Sequence, residues 1–519
     1  MSEKPSYYVT TPIYYVNDVP HIGHAYTTLA CDMLARFKRL DGYNVMFLTG
    51  TDEHGQKVEK SAETAGVTPI EFCDKVSSRF FELLGTMNFS NDDFIRTTEE
   101  RHEKACQALW TKLVDEGHIY LDSYAGWYSV RDEAFYAEGE LIDGEGGEKL
   151  APTGAPVEWV EEPSYFFRLS AFEQQLLDYY EADNGSAVMP KSRRNEVASF
   201  VKGGLRDLSV SRTSFKWGVP VPGDEKHIMY VWIDALTNYM SALGYPDMEG
   251  DKFKEFWPEA IHVVGKDILR FHAVYWPAFL MAAGIKPPKR IYAHGWWTNE
   301  GEKISKSLGN VIDPFELVDE FGLDPVRYFL MREVPFGNDG DFKRESFINR
   351  MNGDLANDFG NLCQRTLTMT AKNCDKKIPQ HGDFTNTDQE MIDAVYGLLP
   401  KVRQHIDNQA MHLALETIWQ QIGSVNSYIS TEEPWVLKKT DPERMATVLY
   451  VCAECIRNLA ILAQPIMPQS MAKMLDLLVI DEDKRSFDQL GEVGRLVPGT
   501  EIPKPSGIFP RYIAPEADA

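Results

Sequence analysis

Apolar positions follow two alternating rhythms through the first hundred residues. "YYVTTPIYYV" is a short, nearly continuous apolar and aromatic run that predicts a strand, whereas "HAYTTLACDMLARFKRL" has apolar residues at helical spacing. "DGYNVMFLTGTDEHG" then predicts a turn, a strand and a polar loop. This alternation implies a parallel, doubly wound α/β sheet, a fold that binds ligands at the carboxyl ends of its strands. From about Gly117 the rhythm breaks into short aromatic runs and glycine turns, "GWYSVRDEAFYAEGELIDGEGGEKLAPTGAPVEW", which predict a small inserted β-rich lobe. Strand and helix alternation returns with "MYVWIDALTNYM" and "AIHVVGKDILRFHAVYWPAFLMAAG", and after Pro325 the spacing is helical almost throughout. The expected division is a split sheet domain at 1–116 and 206–298 around a lobe at 117–205, a connecting region at 299–355, and a helix bundle at 356–519.

Composition narrows the function classes. A chain of 519 residues with 43% hydrophobic content can bury a sizeable core in several domains. No stretch approaches the ~18 apolar residues of a membrane span, and "MSEKPSYYV" lacks the signature of a secretory leader, so a cytoplasmic protein is expected. Seven scattered cysteines fit free thiols, and Cys452 and Cys455, on one face of an apolar helix, read as core packing. A net charge of −25 repels phosphates overall, so a nucleic-acid partner requires local basic patches such as "PKSRRNE" or "KVRQH".

Two loops carry candidate chemistry. In "VPHIGHAYTTL", His21 and His24 flank Gly23 where a helix is expected to start. The pair has three readings: idle or packed imidazoles, a metal site lacking a third ligand, or a phosphate site built on free helix N-H groups, a close-approach glycine and imidazole donors. In "GEKISKSLGN", Lys303 and Lys306 offer mobile ammonium groups for a polyphosphate, with Ser305 and Ser307 as further donors. Either loop alone is weak; together, one near the start and one near the end of the same split sheet domain along the chain, they favour phosphate.

In this order, the two loops resemble the HIGH and KISKS signatures of class I aminoacyl-tRNA synthetases. "TTPIYYVNDVPHIGH", "FLTGTDEHG", "MYVWIDALTNY", "VVGKDILRFHAVYWPA", "HGWWTNEGEKISKSLGN" and "ANDFGNLCQRTL" are similar to the methionyl branch of that class over most of the chain. The resemblance implies a Rossmann-like catalytic domain, a connective-peptide insertion, a KISKS and stem-contact region, and an anticodon-binding bundle. The implied reaction joins L-methionine to ATP as methionyl-adenylate, with release of pyrophosphate, and then acylates tRNA(Met), initiator tRNA included. It implies ATP contacts from His21, Gly23, His24, Gly265, Asp267, Lys303 and Lys306, with Mg²⁺ accompanying ATP. His21, His24, Lys303 and Lys306 are the expected catalytic residues, Lys306 being the most costly to lose. It further implies a methionine pocket of Pro12, Ile13, Tyr15, Trp232, Ala235, Leu236, Tyr239, Ile268 and His272, with Asp52 facing the substrate ammonium. Asn361, Arg365 and Trp435 would meet the anticodon.

The sequence departs from many relatives of that family in the lobe, where Ser129 and Asp132 stand near positions that elsewhere carry zinc-binding cysteines. A tetrahedral thiolate site cannot be assembled here, so a zinc-free lobe held by turns and hydrophobic packing is expected. The sequence ends on "IFPRYIAPEADA", so no appended dimerising domain is expected, and a monomer is the expected state. Rival readings are a small-molecule adenylyltransferase, a non-catalytic tRNA-binding relative, and a synthetase for isoleucine, leucine, valine or cysteine.

Overall fold

The computed structural model describes residues 4–16, 19–132, 134–136, 138–144, 147–304 and 309–513. Its centre is a seven-stranded, wholly parallel sheet. The strands run in the order Val188–Met189, Arg290–His294, Ala260–Gly265, Ser6–Thr10, Asn44–Asp52 and Tyr14–Tyr15, with Asp93–Arg96 also paired to Asn44–Asp52. Ser6–Thr10 is the pivot, because the chain turns to Asn44–Asp52 on one side and to Ala260–Gly265 on the other. The crevice beyond its carboxyl end is thus the topological switch point. Tyr8 and Val9 are fully buried there, which is why this strand reads as a continuous apolar run.

The inserted lobe is an antiparallel sheet of Ile119–Ser129, Ala134–Tyr136, Glu158–Phe167 and Leu208–Ser209. Its last strand lies past the expected border at 205, while Val188–Met189, inside the expected insertion, belongs to the central sheet. At the lobe's tip, hydrogen bonds add to hydrophobic packing such as the Trp127 and Trp159 ring contact at 5.5 Å. Asp132 accepts hydrogen bonds from Tyr136 Oη at 3.0 Å and from Thr153 Oγ1, its own N-H donates to Ser129 Oγ at 3.2 Å, and Arg131 holds the Thr153 carbonyl at 2.8 Å. A polar knot, centred on the two residues singled out in the sequence, ties the turn.

From Pro314 onward the chain is mostly helical, and the expected border at 355 falls inside an unbroken helical run, Arg344–Arg350, Met351–Gly360 and Asn361–Asn373. Pro442–Ala463 is the central helix of the bundle. By length and composition it is apolar enough to cross a membrane, contrary to the sequence reading, yet it is almost wholly buried among its neighbours. Two charged residues of its apolar stretch, Glu454 and Arg457, pair at 2.6 Å inside the core. Cys452 and Cys455 pack beside them as buried free thiols.

Sheet and bundle share one core through the helix Ile22–Leu40. Asp32 on this helix is bonded to Arg327 at 2.6 Å, and both side chains are fully buried. Arg327 also donates to the carbonyls of Met87, Pro465 and Ile466. Farther along, Lys38 meets Asp407 at 2.7 Å and Asp41 meets Arg403 at 2.6 Å. The helix that starts at the His21 turn is therefore anchored to the bundle along its length.

Candidate active site

His21 is the N-cap of the helix Ile22–Leu40, as the glycine-spaced pair predicts. Its ring nitrogen Nδ1 accepts from Gly23 N-H at 3.0 Å, and its own N-H donates to His24 Nδ1 at 3.1 Å. Ile22 N-H is taken by the Ile312 carbonyl and His24 N-H by the His21 carbonyl. The expected free N-H groups of the first turn are thus already engaged, and the phosphate reading cannot rest on them. The same bonds supply another basis. An Nδ1 that accepts an amide proton is unprotonated, so each neutral ring carries its proton on Nε2 and is a one-sided donor. The rings lie 3.9 Å apart, and desolvation, reinforced by His21, holds His24 well below the usual imidazole range. Tyr14 and Phe80 brace His24 edge-on at 4.8 and 5.2 Å. A Cβ at Gly23 would stand 2.9 Å from His21 Cε1, so this glycine makes room for the cap itself.

Across from this turn lies the segment Gly295–Lys303, and between them is a cavity of about 340 Å³ lined by His21, Gly23, Tyr26, Trp296, Trp297 and Lys303. Trp296 organises its far wall. Lys266 Nζ sits 4.3 Å and Lys303 Nζ 5.8 Å from its ring centre, while its Nε1-H donates to Asp267 at 3.1 Å. Gly265 ends its strand at this point, where a Cβ would stand 2.5 Å from Asp267 Oδ1. Lys303 is exposed on a short strand, Glu302–Lys303, paired to Trp297–Asn299. The loop it opens is tied at its base by Asn310 Nδ2 to the Lys303 carbonyl at 3.1 Å. Ser305, Lys306 and Ser307 lie outside the described residues.

The third group is an apolar and aromatic wall. Trp232, Ala235, Leu236 and Tyr239 share the helix Val231–Ser241, and Trp232 stacks on Phe271 at 3.6 Å. His272 Nδ1 meets the Ile268 carbonyl at 2.9 Å, so it is protonated, and Nε2 accepts from Tyr239 Oη at 2.7 Å. Desolvation lowers His272 to about 4, which keeps it neutral. Ile13, Trp232 and Ile268 border the same core as Leu236 and Tyr239, and Pro12 is buried nearby on the chain. Tyr15, half-buried, packs beside Trp217 against the neighbouring cluster of Val16 and Val58. Asp52 ends the strand Asn44–Asp52, largely buried, with its charge felt by the desolvated Tyr239 hydroxyl.

In the bundle, Asn361 and Arg365 lie one helical turn apart, the first exposed and the second half-buried. Arg365 sits 5.8 Å over the ring of Trp435 and donates to Asn426 Oδ1 at 3.3 Å, while its Nε is buried with no hydrogen-bond partner. Trp435 keeps 37% of its surface exposed, at the start of the helix Pro434–Thr440. An aromatic face, a guanidinium and an amide are thus gathered on one surface.

Sequence reasoning missed Tyr14, His294 and Trp296. His294 Nδ1-H donates to the Gly295 carbonyl, leaving Nε2 to accept from Thr27 Oγ1 at 2.7 Å, which ties the far wall to the His21 helix. Their signal was present in "PIYY" and "HGWW", but nothing local separates such aromatics from core residues. As for metals, the group among the described residues with ligand atoms close together is His102, Cys106 and Asp234, buried and already hydrogen-bonded to one another.

A parallel sheet split by a lobe, with histidine and lysine loops facing each other across the switch point and a helix bundle behind, defines a class I aminoacyl-tRNA synthetase. Comparison agrees: residues 7–367 match the model for tRNA synthetases class I (M), and residues 378–518 match the anticodon-binding domain of methionyl-tRNA ligase. The chain belongs to the methionyl-tRNA synthetase family. It is 56% identical over 515 residues to a methionine–tRNA ligase of Brucella suis, covering 99% of each chain, and 53% identical over 517 residues to that of Mycobacterium bovis, again covering 99% of each. The solved Mycobacterium tuberculosis methionyl-tRNA synthetase in complex with methionyl-adenylate is 52% identical, with a TM-score of 0.95 over 98% of this chain and 100% of that one.

Proposed function

We propose that the activity of this methionine–tRNA ligase is carried by the residues gathered at the switch point, each in a distinct role. Methionine is activated with ATP to methionyl-adenylate and pyrophosphate, then transferred to the terminal adenosine of tRNA(Met). The methionine carboxylate is an anion at pH 7 and needs no protein base to attack the α-phosphate. The task is therefore positioning and charge stabilisation. His21 and His24, with their protons fixed on Nε2, donate to the α-phosphate as charge builds there. Lys303 and Lys306 hold the β- and γ-phosphates, Gly23 and Gly265 admit the nucleotide close to the backbone, and Asp267 faces the ribose. The described cavity wall carries imidazole, ammonium and indole groups and no carboxylates. Mg²⁺ would thus be held by the nucleotide's own phosphates, where it supplies charge neutralisation.

Asp52 pairs with the substrate ammonium, and the Trp232, Leu236, Tyr239, Ile268 and His272 wall, with Pro12, Ile13, Tyr15 and Ala235, receives the thioether. Aromatic rings suit polarizable sulfur, and a neutral His272 presents no charge to an uncharged tip. Asn361, Arg365 and Trp435 read the anticodon of elongator and initiator tRNA alike. The enzyme works in the cytoplasm as a monomer with a zinc-free lobe; light scattering and metal analysis of purified protein test the last two points.

The observation that carries the assignment is the cavity joining His21 and Gly23 to Lys303. Methionine-dependent exchange of pyrophosphate into ATP, run across the standard amino acids, tests it. Exchange should occur with methionine alone, fall most in Lys306→Ala and fall strongly in His21→Ala; full exchange in either variant refutes the roles given.

A further inference from the structure

Behind the proposed methionine pocket lies a buried polar assembly that the mechanism does not use. Asp234, on the helix that carries Trp232, Ala235 and Tyr239, is 1% exposed. Its Oδ2 meets His54 Nδ1 at 2.7 Å and its Oδ1 meets His102 Nε2 at 2.8 Å. His102 comes from a third element, the helix Glu100–Asp115, and is further tied to Ser241 Oγ at 3.1 Å. His54 stands two positions after Asp52, in a loop pinned from its other side. Trp217 Nε1 donates to the Glu53 carbonyl at 2.6 Å, Gly55 N-H returns to the Trp217 carbonyl, and the Trp217 ring meets His54 edge-on at 5.6 Å. Glu53 itself is buried and taken by Arg96, Thr51 and Thr98. The chain segment holding one end of the substrate is thereby joined, through His54 and Asp234, to the helix holding the other end.

We infer that His54 and Asp234 are positioning residues which set the spacing between the ammonium end and the thioether end of the methionine pocket. The inference rests on the site assignment above. Three features carry it. A carboxylate this buried persists because both oxygens accept from imidazoles, and charge-assisted bonds of this kind are short and directional. The three side chains come from three separate segments, so their bonds define a distance between elements rather than shape within one. Asp234 is also on the same helix as the wall residues, between Trp232 and Ala235, so any shift of its anchor is transmitted to them. Coulombic attraction and hydrogen bonds to Asp234 outweigh desolvation and raise the His54 imidazole above its ordinary value, while both histidines hold the Asp234 carboxyl down against its own desolvation.

His54→Ala cuts the tie from the loop side and leaves every proposed methionine contact in place. His54→Asn restores a donor, because asparagine Nδ2 branches from Cγ where histidine carries Nδ1. In pyrophosphate exchange, His54→Ala should raise the methionine KM about tenfold and leave the ATP KM within about twofold, and His54→Asn should recover most of the loss. The competitive inhibitor 4-(methylthio)butanoate, which is methionine without its ammonium, keeps the thioether and the carboxylate but offers nothing to Asp52. Its inhibition constant should be unchanged in His54→Ala.

A purely structural role predicts a lower fraction of active enzyme and a lower Tm with the methionine KM unmoved, and that result overturns the inference. So does parallel weakening of methionine and the desamino analogue, which would mean that the pocket itself had collapsed. Should His54→Ala fold poorly, Asp234→Asn breaks the same tie while keeping its shape and is read by the same KM comparison. Asp52→Asn separates the underlying assignment: if it leaves the methionine KM unchanged, the placement of the ammonium is wrong whatever His54 does.

Discussion

Replacing Gly23 by alanine separates the stability of the His21 turn from its chemistry. The added Cβ would stand 2.9 Å from His21 Cε1 and 3.1 Å from its Nδ1, both too close, so the imidazole must swing away from the helix. Doing so breaks the bond from Gly23 N-H to His21 Nδ1, a cap worth about 1 kcal/mol. Against this, alanine in a helix gains up to about 1 kcal/mol over glycine, less so in the first turn. The two effects nearly cancel. For a chain of this size the expected change in Tm is within about 2 °C. Catalysis has no such compensation. The same swing removes the acceptor bond that fixes the His21 tautomer and moves its Nε2 donor, and displacement on the order of 1 Å costs up to about 100-fold. Methionine-dependent pyrophosphate exchange should therefore lose about 10- to 100-fold in kcat, equivalent to about 1.4–2.7 kcal/mol of barrier, while calorimetry shows a nearly unchanged transition. A Tm drop of more than about 5 °C would place the loss in folding, and full activity would remove His21 from the reacting centre; either refutes the reasoning.

Further outcomes follow from the buried charges and the bundle. Desolvation lowers His24, His262, His272 and His294, so the unfolded chain binds more protons than the folded one as pH falls below about 6.5, and stability drops through that window. For His272, lowered to about 4, the acid-side loss is about 3 kcal/mol, complete below pH 4; His54, raised, acts in the opposite sense, and denaturant melts between pH 7 and 4 should show net weakening. Arg327→Leu removes one of the two guanidinium partners of the fully buried Asp32, leaving Arg36, and takes the donor from the buried carbonyls of Met87, Pro465 and Ile466; it should cost about 3–5 kcal/mol in chemical denaturation. Trp435→Ala should raise the KM for tRNA in aminoacylation by about 5- to 150-fold, from a stacking contact worth roughly 1–3 kcal/mol, and spare pyrophosphate exchange; equal loss in both assays would make Trp435 a packing residue.

The two phosphate loops were legible because their chemistry is local. Glycine beside two histidines, and lysines between glycines, are unusual in short windows, and their order along a strand and helix alternation placed them at one end of a sheet. The tyrosine, tryptophan and histidine residues around them were not separable from core in the same way. Tyr239, a pocket residue by resemblance, and Tyr8, which only supports it through a bond to the Tyr239 carbonyl, look alike in sequence and are both buried. In the lobe, the absence of cysteines pointed to turns and hydrophobic packing, and what the sequence did not show is that Asp132, with Ser129, Tyr136 and Thr153, ties the turn with hydrogen bonds.

The alternation of strands and helices, the helical second half and the position of the His21 turn were readable from the chain alone, because propensity, periodicity and capping act between residues within about four positions of each other. The sequence also carried the family likeness. The packing of distant segments settled that the Ile22 amide is taken by the Ile312 carbonyl and that Trp296 bridges Lys266 and Lys303. It alone joined His54 to Asp234 and Asp32 to Arg327, pairs separated by 180 and 295 positions. Burial makes a lone carboxylate costly and so forces each to find its partner, but which distant partner is within 3 Å depends on how the layers pack.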